Sequence, residues 1–127
     1  MMFEEVEINS ERWLTLEDLL NEEWKDIEGY EGHYQVSNYG RIKSYKYRQV
    51  KILRPTITHN GYAMVVLSLY NIKKCKTIHR LVAESFIENP NNYPCVNHKD
   101  CNKLKNLVSN LEWCTVQYNT LHAYKNR

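Results

Sequence analysis

Residues 95–124 constrain the fold more than any other part of the chain. Two short apolar-rich runs, Cys95–His98 and Leu111–Cys114, have the composition of strands and flank a polar loop. Thr115 has the residue type that caps a helix, and the pattern after it predicts a helix to about Tyr124. Two strands and a helix in this order form a ββα unit, in which a strand end and a helix face can approach the same point.

The chain before residue 95 predicts small antiparallel hairpins and one further helix. Turn-forming residues separate runs of β-branched and aromatic residues, and a helical spacing then ends before Pro90. The expected fold class is therefore α+β, with small antiparallel β-hairpins followed by the ββα unit. The expected elements are strands at Tyr34–Ser37, Arg41–Ser44, Val50–Leu53, Tyr62–Leu69 and Ile72–Ile78, and a helix at His79–Phe86.

The N-terminal segment is acidic and predicts a short helix at Leu16–Glu22. Thr15 and Asp18 resemble a capping box, and an apolar stripe through Leu19 would dock this helix on the body. Three parts are expected: an acidic extension at 1–22, a β module at 23–78 and the ββα unit at 79–127.

Charge is distributed very unevenly along the chain. Residues 1–31 hold eleven acidic residues against Arg12 and Lys25, which leaves fifteen Lys and Arg against four acidic residues in 32–127. This surplus favours a surface that neutralises nucleic-acid phosphates over a merely solvated lysine-rich face. The expected DNA-binding residues are Arg41, Lys43, Lys46, Arg48, Lys73, Lys74, Lys76, Arg80, Lys99 and Lys103, interleaved with Tyr39, Tyr45, Tyr47, Tyr62 and Tyr70.

Several protein classes are disfavoured. No apolar run is long enough for a membrane span and no export signal is visible, so a cytoplasmic protein with no membrane partner is expected. The four cysteines include no C-x-x-C pair, so neither a structural zinc site nor a secreted disulfide framework is expected.

The ββα unit carries residues suited to cutting a phosphodiester with one metal ion. His98 can act as a base at neutral pH, and Asn110 can hold both the loop and the imidazole by hydrogen bonds. Asn97 and Asn119 offer oxygen ligands for Mg²⁺ or Mn²⁺. His122, three residues after Asn119, competes for the role of metal ligand or phosphate contact, whereas His79 is expected to pack or to cap its helix.

These residues carry a resemblance. Residues 95–119 resemble the HNH motif of phage and intron-encoded homing endonucleases, which ends in N-L-E-W, and the run H-R-L-V-A at 79–83 resembles the helix that precedes it. Residues 24–44 are similar to the nuclease-associated module on the N-terminal side of such enzymes. The resemblance implies that His98 is the general base, that Asn110 orients it, and that Asn97 and Asn119 bind one divalent ion.

Two positions depart from the pattern of that family. Asn97 stands where the family often has aspartate, which removes a charge from the metal site and predicts either weaker metal binding or a better fit to Mn²⁺ than to Mg²⁺. Cys101 stands where the family usually has glycine, which matters if that position needs a positive φ.

The expected function is a metal-dependent endonuclease that acts as a monomer on double-stranded DNA in a bacterial host or phage setting. The alternatives are a DNA-binding protein that keeps the HNH frame without catalysis and, further off, an RNA-binding or protein-inhibitor role on the same basic surface.

Overall fold

The computed structural model describes residues 1–46 and 48–126, so Tyr47, one of the tyrosines expected on the basic surface, and Arg127 lie outside it. Three antiparallel sheets follow one another in sequence, which confirms the α+β class. The sheets consist of β1 (Trp24–Asp26), β2 (Tyr34–Ser37), β3 (Ile42–Ser44) and β4 (Lys51–Ile52); β5 (Thr56–Ile57), β6 (Ala63–Leu69) and β7 (Ile72–Thr77); and β8 (Cys95–His98) and β9 (Leu111–Cys114). The helices are α1 (Ile78–Phe86), α2 (Val116–Lys125), and two 3₁₀ helices at Glu11–Leu14 and Val108–Asn110.

The predicted hairpins are confirmed. Strands β2 and β3 pair antiparallel around the turn at 38–40. Strands β6 and β7 pair from Met64↔Thr77 to Leu69↔Ile72, and Tyr70 and Asn71 between them both have positive φ, as a tight two-residue hairpin turn requires. The third predicted strand is shorter than expected, at Lys51–Ile52, and β5 was not predicted because two residues after a proline give little periodicity.

One apolar core joins the module to the ββα unit. Helix α1 packs against β2, β6 and β9, with Leu81 and Val82 buried on its inner face. Val36 from the first sheet, Leu67 from the second and Leu111 from β9 belong to the same buried cluster. The core therefore continues across the expected boundary at 78/79, and α1 holds its N-terminus beside the end of β8.

The contact between the first sheet and the ββα loop depends on Gly40. Its φ is +88°, and a Cβ at this position would lie 2.9 Å from Asn106 Cβ and 2.9 Å from Ile78 Cγ2. The neighbouring Asn38 carbonyl accepts a hydrogen bond from Val108 N at 3.0 Å. The turn of the first hairpin thus seats directly on the loop that precedes β9.

The ββα unit folds as predicted. Strands β8 and β9 are in register with His98 opposite Leu111 and Asn97 opposite Glu112. Thr115 caps α2 by accepting a hydrogen bond from Tyr118 N at 3.0 Å on its side-chain oxygen. Helix α2 packs against β8.

The predicted helix at Leu16–Glu22 is wrong. Residues 15–22 form turns and bends, and the nearest helix is the 3₁₀ turn at Glu11–Leu14. Arg41 supplies the reason, because its guanidinium donates to the carbonyl oxygens of Thr15 at 2.6 Å and Glu17 at 3.1 Å. Because these backbone carbonyls accept hydrogen bonds from the side chain of Arg41, the segment forms turns rather than the continuous backbone hydrogen bonds of a helix.

The predicted apolar stripe of this segment is also only partly buried. Leu19 is buried, but Leu16 and Leu20 are exposed. The segment is held largely by polar contacts to the first sheet, among them the hydroxyl of Tyr39, which donates to Leu20 O at 2.6 Å.

Across residues 1–46 and 48–126, no helix has the length and apolar character to cross a membrane.

Gly40→Ala should lower the free energy of unfolding by about 3 kcal/mol, because the new methyl group meets two side chains and the residue keeps a left-handed backbone. Urea unfolding measures the change. Gly29→Ala is the matched control: its φ is +85° but nothing lies within 4 Å of the added carbon, so a loss of about 1 kcal/mol is expected. Equal losses in the two variants would contradict the close contact at Gly40.

Candidate active site

His98 is the last residue of β8, and its imidazole is fixed by a side chain that was not predicted. The ring is buried, and Nε2 lies 2.7 Å from Asn106 Oδ1. Because an amide oxygen can only accept, Nε2 carries the proton and donates to Asn106. The lone pair of Nδ1 is then the basic position of the ring.

The surroundings of His98 favour its neutral form. Burial lowers the pKa of His98 below its usual value, and the positive charge of Lys103 acts in the same direction. The hydrogen bond to Asn106 and the carboxylate of Asp100 oppose that shift. The imidazole is therefore unprotonated at neutral pH and has nearby groups that stabilise it once a proton arrives.

Two aromatic rings pack around this imidazole. The ring centroid of His79 lies 5.0 Å from that of His98, and the ring of Tyr62 lies 5.0 Å from His79 and 6.1 Å from His98. His79 Nδ1 is buried without a hydrogen-bond partner in the described part of the chain. His79 does pack, as predicted, but it packs on the candidate base; its position at the start of the H-R-L-V-A run was the signal for this role.

Asn110 holds the loop, as predicted, through three hydrogen bonds. Its Nδ2 donates to Asp100 Oδ1 at 2.9 Å and to Lys105 O at 2.8 Å, and its Oδ1 accepts from Asp100 N at 3.1 Å. The direct contact with the imidazole belongs to Asn106 instead. Asn110 acts on His98 through the loop, because it positions Asp100.

Asp100 is held as a carboxylate. Burial alone would raise the pKa of Asp100, but hydrogen bonds from Asn102 N and Asn110, together with the charge of Lys105, keep that pKa below its usual value. A negative charge thus stays beside the loop turn.

Asn97 points its amide nitrogen at a carboxylate. Its Nδ2 donates to Glu112 Oε2 at 2.8 Å across the β8–β9 pair, which turns Asn97 Oδ1 away from that bond. The charge of Glu112 and a hydrogen bond to it raise the pKa of Tyr118, so this carboxylate lies between β8 and the first turn of α2. Asn119 follows on α2, the helix that packs on β8, and its side chain is half-buried.

The donor atoms here fit a hard cation better than a soft one. Among residues 1–46 and 48–126, no group of three or more His, Cys, Asp or Glu could hold a metal ion. Amide oxygens of Asn97 and Asn119, and the Glu112 carboxylate beside Asn97, are donor types that suit an ion such as Mg²⁺ that keeps several waters. The residues present therefore fit the kind of ion that the HNH resemblance implies.

Cys101, which stands where the family usually has glycine, has a positive φ. Its φ is +66°, the conformation for which glycine is favoured, and its N donates to His98 O at 3.0 Å in the turn that follows β8. Its sulfur lies 3.7 Å from His122 Nδ1 on α2. The second candidate ligand, His122, thus faces the turn next to the base.

Comparisons with known proteins extend over most of this architecture. A family model described as the NUMOD4 motif matches residues 22–68. An uncharacterized HNH endonuclease of Acanthamoeba polyphaga mimivirus is 47% identical over 95 residues, and the DNA endonuclease I-HmuI of Bacillus phage SP01 is 45% identical over 97 residues. The chain belongs to the HNH homing endonuclease family.

A solved structure supports the same assignment. The structure described as DNA binding and cleavage by the HNH homing endonuclease I-HmuI matches with a TM-score of 0.75 and 42% identity, over 83% of this chain and 60% of that one. The sequence matches cover 75% and 76% of this chain, but only 28% of the mimivirus protein and 55% of the phage enzyme. This chain therefore spans the NUMOD4 module and the HNH unit. It covers about half the length of the phage enzyme and less than a third of the mimivirus protein.

Arg41 is not part of the HNH protein's surface. It is fully buried and forms an ion pair with Glu22, whose two carboxylate oxygens accept from its Nε and Nη2. A guanidinium in this position neutralises a protein carboxylate and holds the N-terminal segment, so its predicted contact with DNA is wrong.

The other predicted basic residues are at least half-exposed. Some of them also have contacts within the protein: Lys43 lies 3.9 Å above the Trp24 ring, Arg80 donates to Pro94 O at 2.8 Å, and Lys103 donates to Asn60 O at 2.9 Å. Lys103 also lies 4.8 Å above the ring of Tyr62, which in turn contacts the rings of His79 and His98. Exposed members include Lys46, Arg48, Lys73, Lys74 and Lys99, whereas Lys76 is half-buried.

Arg41→Met should lower the free energy of unfolding by about 3 to 5 kcal/mol, because it leaves the Glu22 carboxylate buried without its partner. The double variant Glu22→Gln/Arg41→Met should recover part of that loss, since neither charge remains. Urea unfolding measures both. Arg12→Met, which removes an exposed pair with Glu4, should change stability little. A small effect of Arg41→Met would contradict its structural role.

Acid should destabilise the protein through His79. Burial lowers the pKa of His79 from 6.5 to about 4, with the neighbouring His98 and Arg80 acting in the same direction. The unfolded chain therefore takes up a proton that the folded chain resists, and stability falls as the pH drops from about 6.5 to about 4, by about 3 kcal/mol.

The comparison of wild type with His79→Phe isolates this effect. Phenylalanine keeps a ring against Tyr62 but cannot titrate, so the variant should lose less stability between pH 6.5 and pH 4. Denaturant melts at a series of pH values measure it. Parallel curves for the two proteins across that window would rule out the effect.

Proposed function

We propose that this chain hydrolyses phosphodiester bonds of double-stranded DNA, with His98 as the general base. The observation that carries the proposal is the hydrogen bond from His98 Nε2 to Asn106 Oδ1 at 2.7 Å, which leaves the Nδ1 lone pair to accept a proton. Similarity to the phage relative, which is named a DNA endonuclease, supports DNA as the substrate.

His98 removes a proton from the water that attacks the phosphorus atom. Burial lowers the pKa of His98, so the ring is neutral and ready to accept at pH 7. Once protonated, the ring keeps its hydrogen bond to Asn106 and gains attraction to the Asp100 carboxylate. Asn106 and His79 act as positioning residues, since Asn106 fixes the His98 ring through a hydrogen bond and the ring of His79 packs against it at a tilt.

Asn97 and Asn119 hold one divalent cation, Mg²⁺ or Mn²⁺, in this proposal. When bound, the cation would stabilise the negative charge that develops on the phosphate and the leaving oxygen. Asn97 contributes Oδ1, because its amide nitrogen is engaged with Glu112. The family often has aspartate at the position of Asn97, and asparagine lacks that negative charge. The carboxylate of Glu112, which is hydrogen-bonded to Asn97, supplies a negative charge nearby.

The DNA backbone lies against lysines of two regions. Lys73 and Lys74 are exposed on β7, which precedes His98 in sequence. Lys99 and Lys103 belong to the loop that follows β8 and His98. The acidic segment before residue 24 is engaged with the first sheet, so it leaves these lysines available. The described residues contain one ββα unit, which supports action as a monomer on one strand at a time.

His98→Ala should lower the rate of Mg²⁺-dependent nicking of supercoiled plasmid by at least about 100-fold, because the general base is lost. Binding of the same DNA, measured by gel shift at fixed salt, should remain close to wild type. His33→Ala is the matched control, since His33 precedes β2 at the end away from the 38–40 turn that contacts the site.

The outcome separates two functions. Nicking that disappears with EDTA and with His98→Ala supports the enzyme. Tight, salt-sensitive DNA binding by the wild type, with no cleavage in Mg²⁺ or Mn²⁺, supports the alternative of a DNA-binding protein that keeps the HNH frame without catalysis. The observation that favours this alternative is Asn97, which stands where the family often has aspartate. Full activity of His98→Ala would remove the base from His98.

A further inference from the structure

Cys101 and His122 form a pair that the proposed mechanism does not use. Cys101 Sγ lies 3.7 Å from His122 Nδ1, with Cys101 exposed and His122 half-buried. Thiol sulfur and imidazole nitrogen are the ligand atoms that Zn²⁺ and similar soft cations prefer, in contrast to the amide and carboxylate oxygens around Asn97.

The separation of the two atoms matches a single tetrahedral ion. Bond lengths of about 2.3 Å to sulfur and about 2.0 Å to nitrogen at a tetrahedral angle place the two ligand atoms about 3.5 Å apart. The observed 3.7 Å exceeds that span by about 0.2 Å. An ion can therefore bind between these atoms without a change in the backbone.

Both side chains are held in place by their surroundings. Cys101 lies in the turn closed by its N–H bond to His98 O at 3.0 Å, with φ at +66°. The imidazole of His122 stacks on the ring of Tyr118 one turn earlier in α2, with centroids 6.1 Å apart. One ligand thus comes from the loop after the base and the other from the helix that carries Asn119.

We propose that Cys101 and His122 bind a soft divalent cation of the Zn²⁺ class, and that the bound ion inhibits cleavage. Binding releases the thiol proton of Cys101 to solvent as the sulfur–metal bond forms. Because no third His, Cys, Asp or Glu completes a cluster in the described residues, water fills the remaining positions and binding is reversible. Two protein ligands distinguish this site from a structural zinc site, which has four.

The inhibitory consequence rests on the proposed function. An ion between Cys101 and His122 ties the turn after His98 to α2 and adds positive charge next to the base. A DNA phosphate and its own cation must enter that same region, so the rigid link and the added charge oppose cleavage.

Zn²⁺ binding to the purified reduced protein tests the site directly. Isothermal titration of the wild type with Zn²⁺ should give one site per chain, and Cys101→Gly and His122→Gln should each weaken binding at least tenfold. Cys101→Gly is the mildest removal of the thiol, because glycine adopts the positive φ freely. Circular dichroism confirms that the variants fold.

Two other thiols, those of Cys75 and Cys114, are compared with the thiol of Cys101. Cys75→Ser removes another exposed thiol and should bind Zn²⁺ like the wild type. Burial raises the pKa of Cys114 to about 11, which makes that thiol a poor zinc ligand at neutral pH. Unchanged binding by Cys101→Gly, or no binding by the wild type, overturns the proposed site.

Plasmid nicking in Mg²⁺ with added micromolar Zn²⁺ tests the consequence. The wild type should be inhibited, and Cys101→Gly should resist at concentrations at least tenfold higher. Zn²⁺ binding with equal inhibition of both proteins would overturn the regulatory role and leave the binding site. Zn²⁺ binding by a wild type that never nicks DNA would refute the proposed nuclease and not the metal site.

Discussion

The candidate site depends on the packing of the β2–β3 turn, at residues 38–40, against the loop before β9. Gly40 approaches Asn106 so closely that no side chain fits there, and Asn38 accepts a hydrogen bond from Val108 in the same region. Asn106 in turn holds the imidazole of His98. The NUMOD4 module is therefore more than an attachment to the HNH unit, because its turn packs against the residue that sets the orientation and the protonated nitrogen of the candidate base.

Arg41 and Glu22 show how a charged pair can organise a chain without contributing to its surface. Both side chains are buried, and the guanidinium also binds backbone carbonyls of the N-terminal segment. Removing two charges from water has a large desolvation cost, which only a full set of hydrogen bonds offsets. The pair is thus better understood as fixing the path of residues 13–22 over the first sheet than as adding net stability.

Local patterns predicted the elements whose causes are local. The turn residues at 38–40 and 70–71 and the Thr115 cap act within a few positions, and the hairpins and the ββα unit follow from them. The predictions failed where a distant residue decides. Nothing near Thr15 reveals that Arg41 will bind its carbonyl, and a count of charges does not distinguish a buried arginine from an exposed lysine.

The same distinction holds in the site. The ββα pattern and the family resemblance predicted His98, Asn97, Asn110 and Asn119 as candidates. Asn106 was not predicted, and His79 was predicted only to pack or to cap its helix, because the contacts of these two residues with His98 arise from tertiary packing. Helix α2 carries Asn119 but buries none of its described residues. Its docking on β8 thus rests on little apolar contact, and its amide protons should exchange with solvent sooner than those of β6 or α1. For the proposed metal site, a helix that leaves β8 would carry Asn119 away from Asn97, so only the docked helix would be competent to bind the ion.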